Sequence, residues 1–566
     1  MSNGKRMAPV DTTWLRMDRL NNHMVIVGVL ILRDPVDLDR LEHTLAVRLL
    51  SYDRFRWKVE ERAGGAFWVE DPRFDIERHI RRARLAGSGG KAELQRFVAE
   101  LAARPLDPAH PLWQTHIVER YEEGVAVVMR IHHAIGDGAA LMHVLLGLTD
   151  ETPDAPLHGV ELPDEEREDA YSPPWEMLAP LVEAVERGVR ASTGAARSVL
   201  GVVRRPAKAL DLLRGGVNIA AELAYLLLMP MDSPTRLKGE LCGEKAVAWS
   251  PPIPLPEVKA IGHALHCTIN DMLLASFAGA INAYLAENGD ATHGVEVRAL
   301  VPIDLRPPGR ARELGNNFGI VAVELPVGID NPLARLKEVR RRMAALKKSY
   351  EPVVTLGLVE ALGYGPKILQ DRLFDLLLSR ATAVMTNVPG PQRPLYLGGA
   401  PIDQIMFWVP QSGEIGMGVS LMSFNNQVQL GLIADVALTP EPGEIVKHFQ
   451  PEFEQLLYHV LLDDWGESVF RKGEPAEPPA REAPKKTPRK RVSAKGRKAP
   501  APQTGTLAKK PARKKAAPPD EQPVEEPAKA PKRARKPAVL RTMRPTEAPP
   551  PTRPRRRPRA PSRTSA

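Results

Sequence analysis

The sequence of 566 residues contains only two cysteines, and several common catalytic signatures are missing. Cys242 and Cys267 provide neither a disulfide framework nor the paired spacing of a zinc site, which favours a reducing, cytoplasmic setting. The sequence also lacks a Gly-x-Ser-x-Gly turn, a glycine-rich phosphate-binding loop and a His-Glu-x-x-His pair. These absences argue against an α/β-hydrolase, a P-loop enzyme and a zinc enzyme, and we expect no bound metal and no permanent cofactor.

Long apolar runs are also missing. Residues 1–10 contain no apolar core of a signal peptide. The longest lipid-like run, Leu223–Met231, is far shorter than the roughly 20 apolar residues that a membrane-spanning helix needs. We therefore expect neither a signal peptide nor a membrane-spanning helix.

The positive charge of the chain is concentrated at its C-terminal end. Residues 471–566 contain 29 Lys and Arg against 8 Asp and Glu, so the overall net charge of +9 leaves about −12 for residues 1–470. The same segment contains 21 prolines and no aromatic residue. Such a composition cannot bury enough apolar surface to fold, so we expect a disordered basic tail. This tail could attract anionic lipid head groups or nucleic acid, although it has no aromatic side chains to stack on bases.

Changes in composition divide the chain into four segments. Residues 1–150 and 241–470 each mix strand-like and helix-like patterns, which predicts two α/β domains. Residues 151–240 form a linker that begins with acidic residues and prolines. From residue 174 to 229 the linker continues as an amphipathic, basic helical segment, which either lies on an anionic membrane surface or packs on the protein with a solvated basic face. Residues 471–566 are the tail.

A β-hairpin is predicted in the first domain. Apolar residues alternate through Trp113–Arg120, a turn follows at residues 122–124, and Val125–Ile131 returns as a second strand. The hairpin would place His132 and His133 at the edge of a sheet.

Residues 132–138, His-His-Ala-Ile-Gly-Asp-Gly, are the strongest candidate site. Because side chains alternate along a strand, only one of His132 and His133 needs to face a given cavity. Asp137 is at the N-cap position of the next helix and could equally pair with an arginine, while the glycines Gly136 and Gly138 allow a tight turn. In the absence of a nucleophile motif, a neutral histidine remains as general base, able to take the proton of an alcohol that attacks an acyl carbonyl.

This HHxxxDG pattern resembles the motif of the chloramphenicol-acetyltransferase-like acyltransferase superfamily. Further motifs, in the same order, resemble those of the bacterial wax ester synthase/diacylglycerol acyltransferase family. They are Pro111-Leu112-Trp113, Asn270-Asp271, Gly315-Asn316-Asn317-Phe318-Gly319 and Thr386-Asn387-Val388-Pro389-Gly390-Pro391. Residues 11–18 also resemble the start of the family, and the resemblance covers about residues 8–465.

The resemblance implies two chloramphenicol-acetyltransferase-like α/β domains, each a mixed sheet flanked by helices, with a tunnel between them. It implies acyl-CoA as co-substrate and diacylglycerol or a long-chain fatty alcohol as acceptor, giving triacylglycerol or wax ester. It also implies that His133 is the general base, that His132 supports the site, and that Asp137 and Gly138 belong to the loop. We expect Arg306 to be the partner that lets Asp137 hold this loop.

Two further motifs carry weaker assignments. Asn270 and Asp271 come from the second domain at the start of an apolar helix, where they either cap the helix or position His133 or meet the oxyanion. Pro111, Leu112 and Trp113 are expected to be structural or to line the tunnel.

Two alternatives stay open. A condensation enzyme of the same superfamily would take acyl groups from a carrier protein, although the Asn-Asp and Pro-Leu-Trp motifs argue against it. A non-catalytic protein could coat lipid inclusions or bind polyanions, although the intact His132, His133 and Asp137 argue against that. Because the expected substrates reside in membranes, we expect a cytoplasmic protein that binds peripherally to the inner membrane face or to lipid inclusions.

Overall fold

A computed structural model of the chain describes residues 4–62, 65–160, 229–306, 314–346, 351–365 and 367–462. Residues 174–228, which make up nearly all of the predicted basic helical segment, and the whole predicted tail, residues 471–566, lie outside the described residues.

The described strands, in chain order, are β1 (Lys5–Arg6), β2 (Val25–Arg33), β3 (Trp57–Arg62), β4 (Gly65–Glu70), β5 (Ile80–Arg84), β6 (Trp113–Tyr121), β7 (Gly124–His132), β8 (Lys245–Trp249), β9 (Ile253–Pro254), β10 (Val297–Asp304), β11 (Phe318–Leu325), β12 (Ala383–Pro389), β13 (Tyr396–Leu397), β14 (Ala400–Trp408), β15 (Met417–Phe424) and β16 (Gln427–Asp435). The described helices are α1 (Pro9–Arg16), α2 (Leu38–Leu49), α3 (Ile76–His79), α4 (Lys91–Ala102), α5 (Gly138–Leu148), α6 (Leu255–Ala264), α7 (Ile269–Glu287), α8 (Pro332–Leu346), α9 (Glu351–Gly363), α10 (Lys367–Leu378), α11 (Gly443–Val446) and α12 (Phe449–Leu462).

The first large sheet has the strand order β13-β14-β2-β7-β6-β5. All neighbouring strands in it are antiparallel except β5 and β6, which are parallel. The predicted hairpin forms β6 and β7, but β7 pairs on both sides, with β2 and with β6. The two histidines therefore lie at the end of a central strand, and the expectation that they reach the edge of the sheet is wrong.

The second large sheet has the order β11-β10-β12-β15-β16-β8, with β9 also paired to β16. Its central strands β10, β12 and β15 are parallel to one another, whereas the outer pairs are antiparallel. Helix α7, which is apolar nearly all round, is buried against α8 and α12 in the core of this half. Both large sheets are mixed and flanked by helices, as the sequence predicts.

Between residues 389 and 417 the chain crosses from the second sheet to the first and back. After β12 it leaves the second sheet, forms β13 and β14 in the first sheet, and returns as β15. Strand β14 pairs antiparallel with β2 from Gln404 to Trp408. Two strands of residues 241–470, β13 and β14, thus belong to the sheet built otherwise from residues 1–150, so the two halves interlock.

Helices α9 and α10 are not predicted by the sequence pattern. Helix α1 packs on α9, where the Thr13 hydroxyl donates to the Val359 carbonyl over 2.9 Å.

No single helix among the described residues is long and apolar enough to cross a bilayer. Helices α6 and α7 reach that length and composition only together, and the chain bends by 99° between them.

Candidate active site

His133 directly follows the last residue of β7 and enters the space between the two sheets. Its backbone N–H donates to the Met24 carbonyl over 2.7 Å, which continues the pairing of β7 with the segment that leads into β2. The side chain is buried, with 9% of its surface exposed, and it lines a large cavity. The position of this imidazole is thus set by a central strand, which is among the most rigid elements of the sheet.

Asn316 sets the tautomer of His133. The Asn316 side-chain amide donates from Nδ2 to the backbone carbonyl of His133 over 2.8 Å, and a carbonyl oxygen can only accept. This orientation turns Asn316 Oδ1 toward His133 Nδ1, 2.8 Å away, so Nδ1 carries the proton and donates it. The other ring nitrogen, Nε2, therefore keeps its electron pair, as a general base requires.

A buried ion pair holds Asn316 in turn. The Asp11 carboxylate accepts from the side-chain Nδ2 and the backbone N–H of Asn316, at 2.8 and 3.1 Å. Burial raises the pKa of Asp11 above its ordinary value, and the Arg54 guanidinium, 2.9 Å from Asp11, opposes that rise. Arg54 also donates to the carbonyls of Ala134 and Ile135 in the loop after His133, so one network fixes both the loop and the asparagine.

Aromatic rings surround the His133 imidazole. The Trp14 ring stacks on it with centroids 4.8 Å apart, and Phe318 lies 5.7 Å away at a tilt. Burial lowers the pKa of His133 below its ordinary value of 6.5, while the Asp137 carboxylate and the Asn316 hydrogen bond oppose only part of that effect. His133 is therefore neutral near pH 7, the state in which Nε2 can accept a proton.

His132 has the opposite tautomer. Its Nδ1 accepts the backbone N–H of Ala134 over 3.0 Å, so the proton is on Nε2, which faces the Asp18 carboxylate at 3.5 Å. His132 lowers the pKa of Asp18, although burial of the carboxyl acts in the other direction. Nδ1 of His132 is thus engaged and Nε2 faces a carboxylate, and the ring lines a second pocket that includes Asp18 and His23.

Asp137 ties the loop to the second half of the chain. Its Oδ1 caps α5 by accepting the Ala140 N–H over 3.0 Å. Its Oδ2 accepts from Arg306 Nη2 at 2.6 Å and from the Asn317 N–H at 2.9 Å. The structure therefore contains the expected pair of Asp137 and Arg306, both of which are nearly buried. With its oxygens committed in this way, Asp137 positions the loop.

The glycines of the motif provide space. Neither Gly136 nor Gly138 is among the residues with a positive φ. A Cβ on Gly136 would lie 3.1 Å from the Ala140 Cβ, and one on Gly138 would lie 3.7 Å from the Val388 side chain. Close packing against α5 explains Gly136 better than a tight turn, whereas the contact at Gly138 is ordinary and does not require a glycine.

The cavity has a volume of about 560 Å³ and is lined mostly by apolar side chains. Its walls come from β2, β7 and α5 of the first half, from β14, which pairs in the first sheet, and from β10, β11, β12 and α10 of the second half. Polar groups are few, and they include His133, Asp137, Arg306, Thr386 and Asn387. This explains why α5, directly after the histidine motif, is strongly apolar although many of its side chains are only half-buried: they face the cavity.

The hydrogen bonds of Asn270 and Asp271 are to residues other than His133. Asp271 forms a capping box with Thr268, the N-cap residue of α7, so it serves the helix. Asn270 accepts from Asn387 Nδ2 over 3.2 Å and thereby contacts the cavity wall through that residue. The partner of the His133 ring is Asn316.

The Pro-Leu-Trp motif lies behind the histidines. The Leu112 carbonyl accepts the His132 N–H over 3.0 Å, and the buried Trp113 indole donates to the Phe55 carbonyl over 2.8 Å. Neither residue lines the cavity that contains His133.

Among the described residues no group of three or more His, Cys, Asp or Glu side chains could hold a metal ion.

Sequence reasoning did not identify Asn316, Asp11, Arg54 and Trp14 as parts of the site. Asn316 is 183 residues from His133 and reads as the start of a strand. The sequence did contain a hint for two of these residues. Asn316 and Asp11 both belong to segments that resemble family motifs, although no pattern in the sequence assigns a physical role to either residue.

Comparison with known proteins identifies the family of the chain. Residues 7–273 match the wax ester synthase/diacylglycerol acyltransferase catalytic domain, and residues 314–457 match the WS/DGAT C-terminal domain. A putative diacylglycerol O-acyltransferase of Mycobacterium tuberculosis strain CDC 1551 is 30% identical over 415 residues, which cover 69% of this chain and 82% of the relative. A probable diacylglycerol O-acyltransferase of M. tuberculosis strain H37Rv is 25% identical over 468 residues, covering 80% and 95%.

Solved structures share the fold. The wax ester synthase/diacylglycerol acyltransferase from Marinobacter aquaeolei VT8 superposes with a TM-score of 0.58 at 20% identity, covering 81% of this chain and 100% of that chain. The first condensation domain of the calcium-dependent antibiotic synthetase gives 0.51 at 14% identity, covering 81% and 96%. The structural likeness alone does not separate these two kinds of protein, but the matches to both family domains and the relative at 30% identity do. The chain belongs to the wax ester synthase/diacylglycerol acyltransferase family and is an acyltransferase.

Proposed function

We propose that the protein transfers a long-chain acyl group from acyl-CoA to the hydroxyl of a diacylglycerol or a long-chain fatty alcohol, with His133 as general base. The products are triacylglycerol or wax ester. The observation that carries the proposal is a neutral imidazole whose Nε2 keeps its electron pair and which lines a mostly apolar cavity. The names of the mycobacterial relatives support diacylglycerol as acceptor.

The reaction needs only one proton carrier. His133 Nε2 takes the proton of the acceptor hydroxyl while the oxygen attacks the thioester carbonyl, which gives a tetrahedral intermediate and an imidazolium. The C–S bond then breaks, and the imidazolium returns the proton to the departing CoA thiolate. No covalent acyl-enzyme is required, because a thioester is already an activated acyl donor.

The residues around His133 suit this cycle. Asn316 accepts from Nδ1–H both before and after Nε2 gains a proton, so the ring keeps its orientation throughout. Asp137 favours the protonated ring electrostatically, which offsets part of the cost of forming an imidazolium in a buried site. The apolar walls accommodate alkyl chains and reduce access of water, which would otherwise hydrolyse the thioester.

Release of CoA by the purified protein tests the proposal. Palmitoyl-CoA is offered with hexadecanol, with dioleoylglycerol or with no acceptor, to the wild type, to His133→Ala and to His158→Ala, which changes an exposed histidine outside the motif and the cavity lining. We expect acceptor-dependent release that His133→Ala abolishes and His158→Ala leaves unchanged. Equal release by His133→Ala would contradict its role as base.

The two alternatives have distinct outcomes in the same experiment. A carrier-dependent condensation enzyme would release little CoA but would react with the acyl group on an acyl carrier protein. A non-catalytic lipid-binding protein would give no acceptor-dependent release from either donor, while still retaining the lipid.

We also propose that the protein works at a membrane or lipid-inclusion surface, since both substrates reside in lipid. The basic composition of residues 471–566 supports electrostatic attraction to anionic lipid. A chain shortened after residue 470 should bind phosphatidylglycerol-containing liposomes less well at low salt and keep its activity on detergent-dispersed substrates. Equal binding by the two chains would exclude a contribution from the tail.

A further inference from the structure

Half of the large apolar side chains that are exposed among the described residues lie around α10 and the turn after α1. They are Leu20, Met231, Ile368 and Leu376, with 96%, 61%, 72% and 42% of their surface exposed. Single exposed apolar residues are normal on a protein surface, whereas a contiguous group of them marks a binding surface. Contacts between the three segments that carry these side chains bring them together into one such group.

The turn that carries Leu20 is fixed against α10. Arg19 and Asn22 close the turn with two backbone hydrogen bonds, of 2.9 and 3.3 Å. The Arg19 guanidinium also pairs with Asp371 and Asp375 of α10, at 2.9 and 3.5 Å. Residues at the tip of a turn are usually small or polar, so a leucine that is held there almost wholly in solvent indicates a partner that covers it.

Met231 lies beside the other end of α10. Arg380, two residues after the helix, donates to the Met229 carbonyl. The buried Arg298 joins the same segments, because its Nη1 donates to the carbonyls of Pro230 and Arg380 at 2.7 Å each. The backbone next to Met231 is thus bonded to the end of α10, and the exposed methionine is held in place there.

Helix α10 has two faces with different surroundings. Phe374 and Leu378 of the inner face line the cavity that contains His133. On the outer face Ile368, Arg372 and Leu376 follow one another at intervals of four residues, so they form a single exposed stripe in which a cation lies between two apolar side chains. Because a helix with its side chains is about 10 Å across, only that thickness separates the stripe from the cavity.

The charges around this stripe leave a positive excess. Both carboxylates of α10, Asp371 and Asp375, are paired with Arg19. Arg372 and Arg380, in contrast, form no ion pair with any residue that the structure describes. Their guanidinium groups can therefore pair with an anionic partner without first giving up a carboxylate.

We propose that this surface docks the protein on an anionic phospholipid membrane. The α10 face, as we call it, consists of Leu20, Met231, Ile368, Arg372 and Leu376. The inference rests on the proposed function, because the acceptor is taken to come from lipid. The apolar side chains insert among the acyl chains while Arg372 reaches the phosphate groups, and α10 alone then lies between the membrane and the cavity.

Vesicle binding by the full-length chain tests the proposal. The variant Ile368→Gln/Leu376→Gln makes the stripe polar, and Leu461→Gln/Leu462→Gln is the matched control at the end of α12, where the two leucines are 63% and 82% exposed. Co-sedimentation with vesicles of phosphatidylglycerol and phosphatidylcholine is measured at about 0.5 M NaCl, which screens the attraction of residues 471–566. Thermal melting is recorded for each protein.

We expect the α10 variant to bind the vesicles roughly tenfold or more weakly than the wild type, since two inserted side chains are lost. The control pair should bind as the wild type does, and both variants should melt normally because the changed side chains are exposed. At low salt, Arg372→Gln should weaken binding to these vesicles and not to vesicles of phosphatidylcholine alone. Equal binding by the wild type and the α10 variant, or an equal loss in the control pair, would overturn the proposal.

Other occupants of the α10 face give different results. If residues 174–228 of the chain cover the face, the α10 variant would melt at a lower temperature and bind vesicles as the wild type does. If a second copy of the chain covers it, the wild type would dimerise in sedimentation velocity and the variant would not, again with unchanged vesicle binding. Either result would overturn the proposal.

Failure of the docking surface can be distinguished from failure of the proposed function. Vesicle binding needs no turnover, so a wild type that binds through the α10 face and releases no CoA would reject the reaction and support the surface. In an active protein, the α10 variant should lower kcat/KM for dioleoylglycerol in vesicles and leave it unchanged for dissolved octanol. An equal fall with both acceptors would overturn the docking role.

Discussion

The two adjacent histidines have supports from different parts of the chain. Nearly everything that contacts His132 comes from the first half, with Asp18 at one ring nitrogen, Ala134 at the other, and Leu112 at the backbone. The ring of His133, in contrast, is held by Asn316 from the second half. One histidine thus belongs to the interior of a single domain, and the other belongs to the junction between two.

This difference explains how neighbouring imidazoles of the same chemistry acquire different roles. His132 accepts at Nδ1, which leaves the proton on Nε2, whereas His133 donates from Nδ1, which leaves Nε2 free to accept. The His132 ring, whose Nδ1 accepts from the loop backbone and whose Nε2 faces Asp18, stabilises the loop. A ring with one nitrogen open to a cavity can perform acid–base chemistry only as long as its distant partner is in place.

Exchanging each histidine for alanine should separate the two roles most strongly. His133→Ala should lower kcat by roughly 10²–10⁴-fold with little effect on melting temperature, because it removes the proton carrier. His132→Ala should instead destabilise the protein by about 1–3 kcal/mol, since it leaves the buried Ala134 N–H without its acceptor. The measurements are steady-state kinetics and thermal melting, and the comparison fails if His132→Ala loses as much kcat as His133→Ala while melting normally.

Breaking the connection at Asp137 should have the next largest effect. Asp137→Ala removes the helix cap of α5 and leaves the nearly buried Arg306 with only the more exposed Asp304 as a carboxylate partner, which should cost about 3 kcal/mol of unfolding free energy. Urea denaturation measures this change. Asp39→Ala, at a largely exposed ion pair, is the matched control and should cost less than about 1 kcal/mol. An equally small loss in both variants would show that the pair does not join the halves.

Asn316→Ala should reduce the catalytic activity that depends on His133 more than it reduces the stability of the protein. Without the Oδ1 acceptor both neutral tautomers of His133 become accessible, and kcat should fall on the order of 10²-fold. Nitrogen-15 NMR of the imidazole should show the proton shared between Nδ1 and Nε2, a change that a merely structural role would not produce. Asn317→Ala is the control, since only the backbone N–H of Asn317 bonds to Asp137. An unchanged tautomer in Asn316→Ala would contradict the assignment.

The contrast also explains which parts of the molecule the sequence predicts. Contacts within one half follow from local patterns: the hairpin of β6 and β7 is visible in the alternation of residues, and the cap at Asp137 in its position before α5. Long-range contacts have no such signature. Arg306 is expected as the partner of Asp137 without a local pattern that singles it out, and Asn316 stands out only as part of a motif, with no pattern that assigns it to His133. Likewise, β14 reads as a strand but not as a strand of the first sheet, because pairing across about 380 residues depends on the register of Trp408 with Val27.

The smallest expected effect is a shift in the pH dependence of kcat/KM, and it tests whether the second half tunes His133 as well as holding it. Burial lowers the pKa of His133 below 6.5, so kcat/KM should be constant above about pH 7 and should fall with decreasing pH only below 6.5, by up to about tenfold per pH unit, as the base becomes protonated. Asp137 raises this pKa against the effect of burial. Asp137→Asn should therefore move the fall to lower pH, at pH values where circular dichroism shows the variant to be folded. A shift to higher pH, or none, would mean that Asp137 acts on the loop alone and that the junction sets only the geometry of the base.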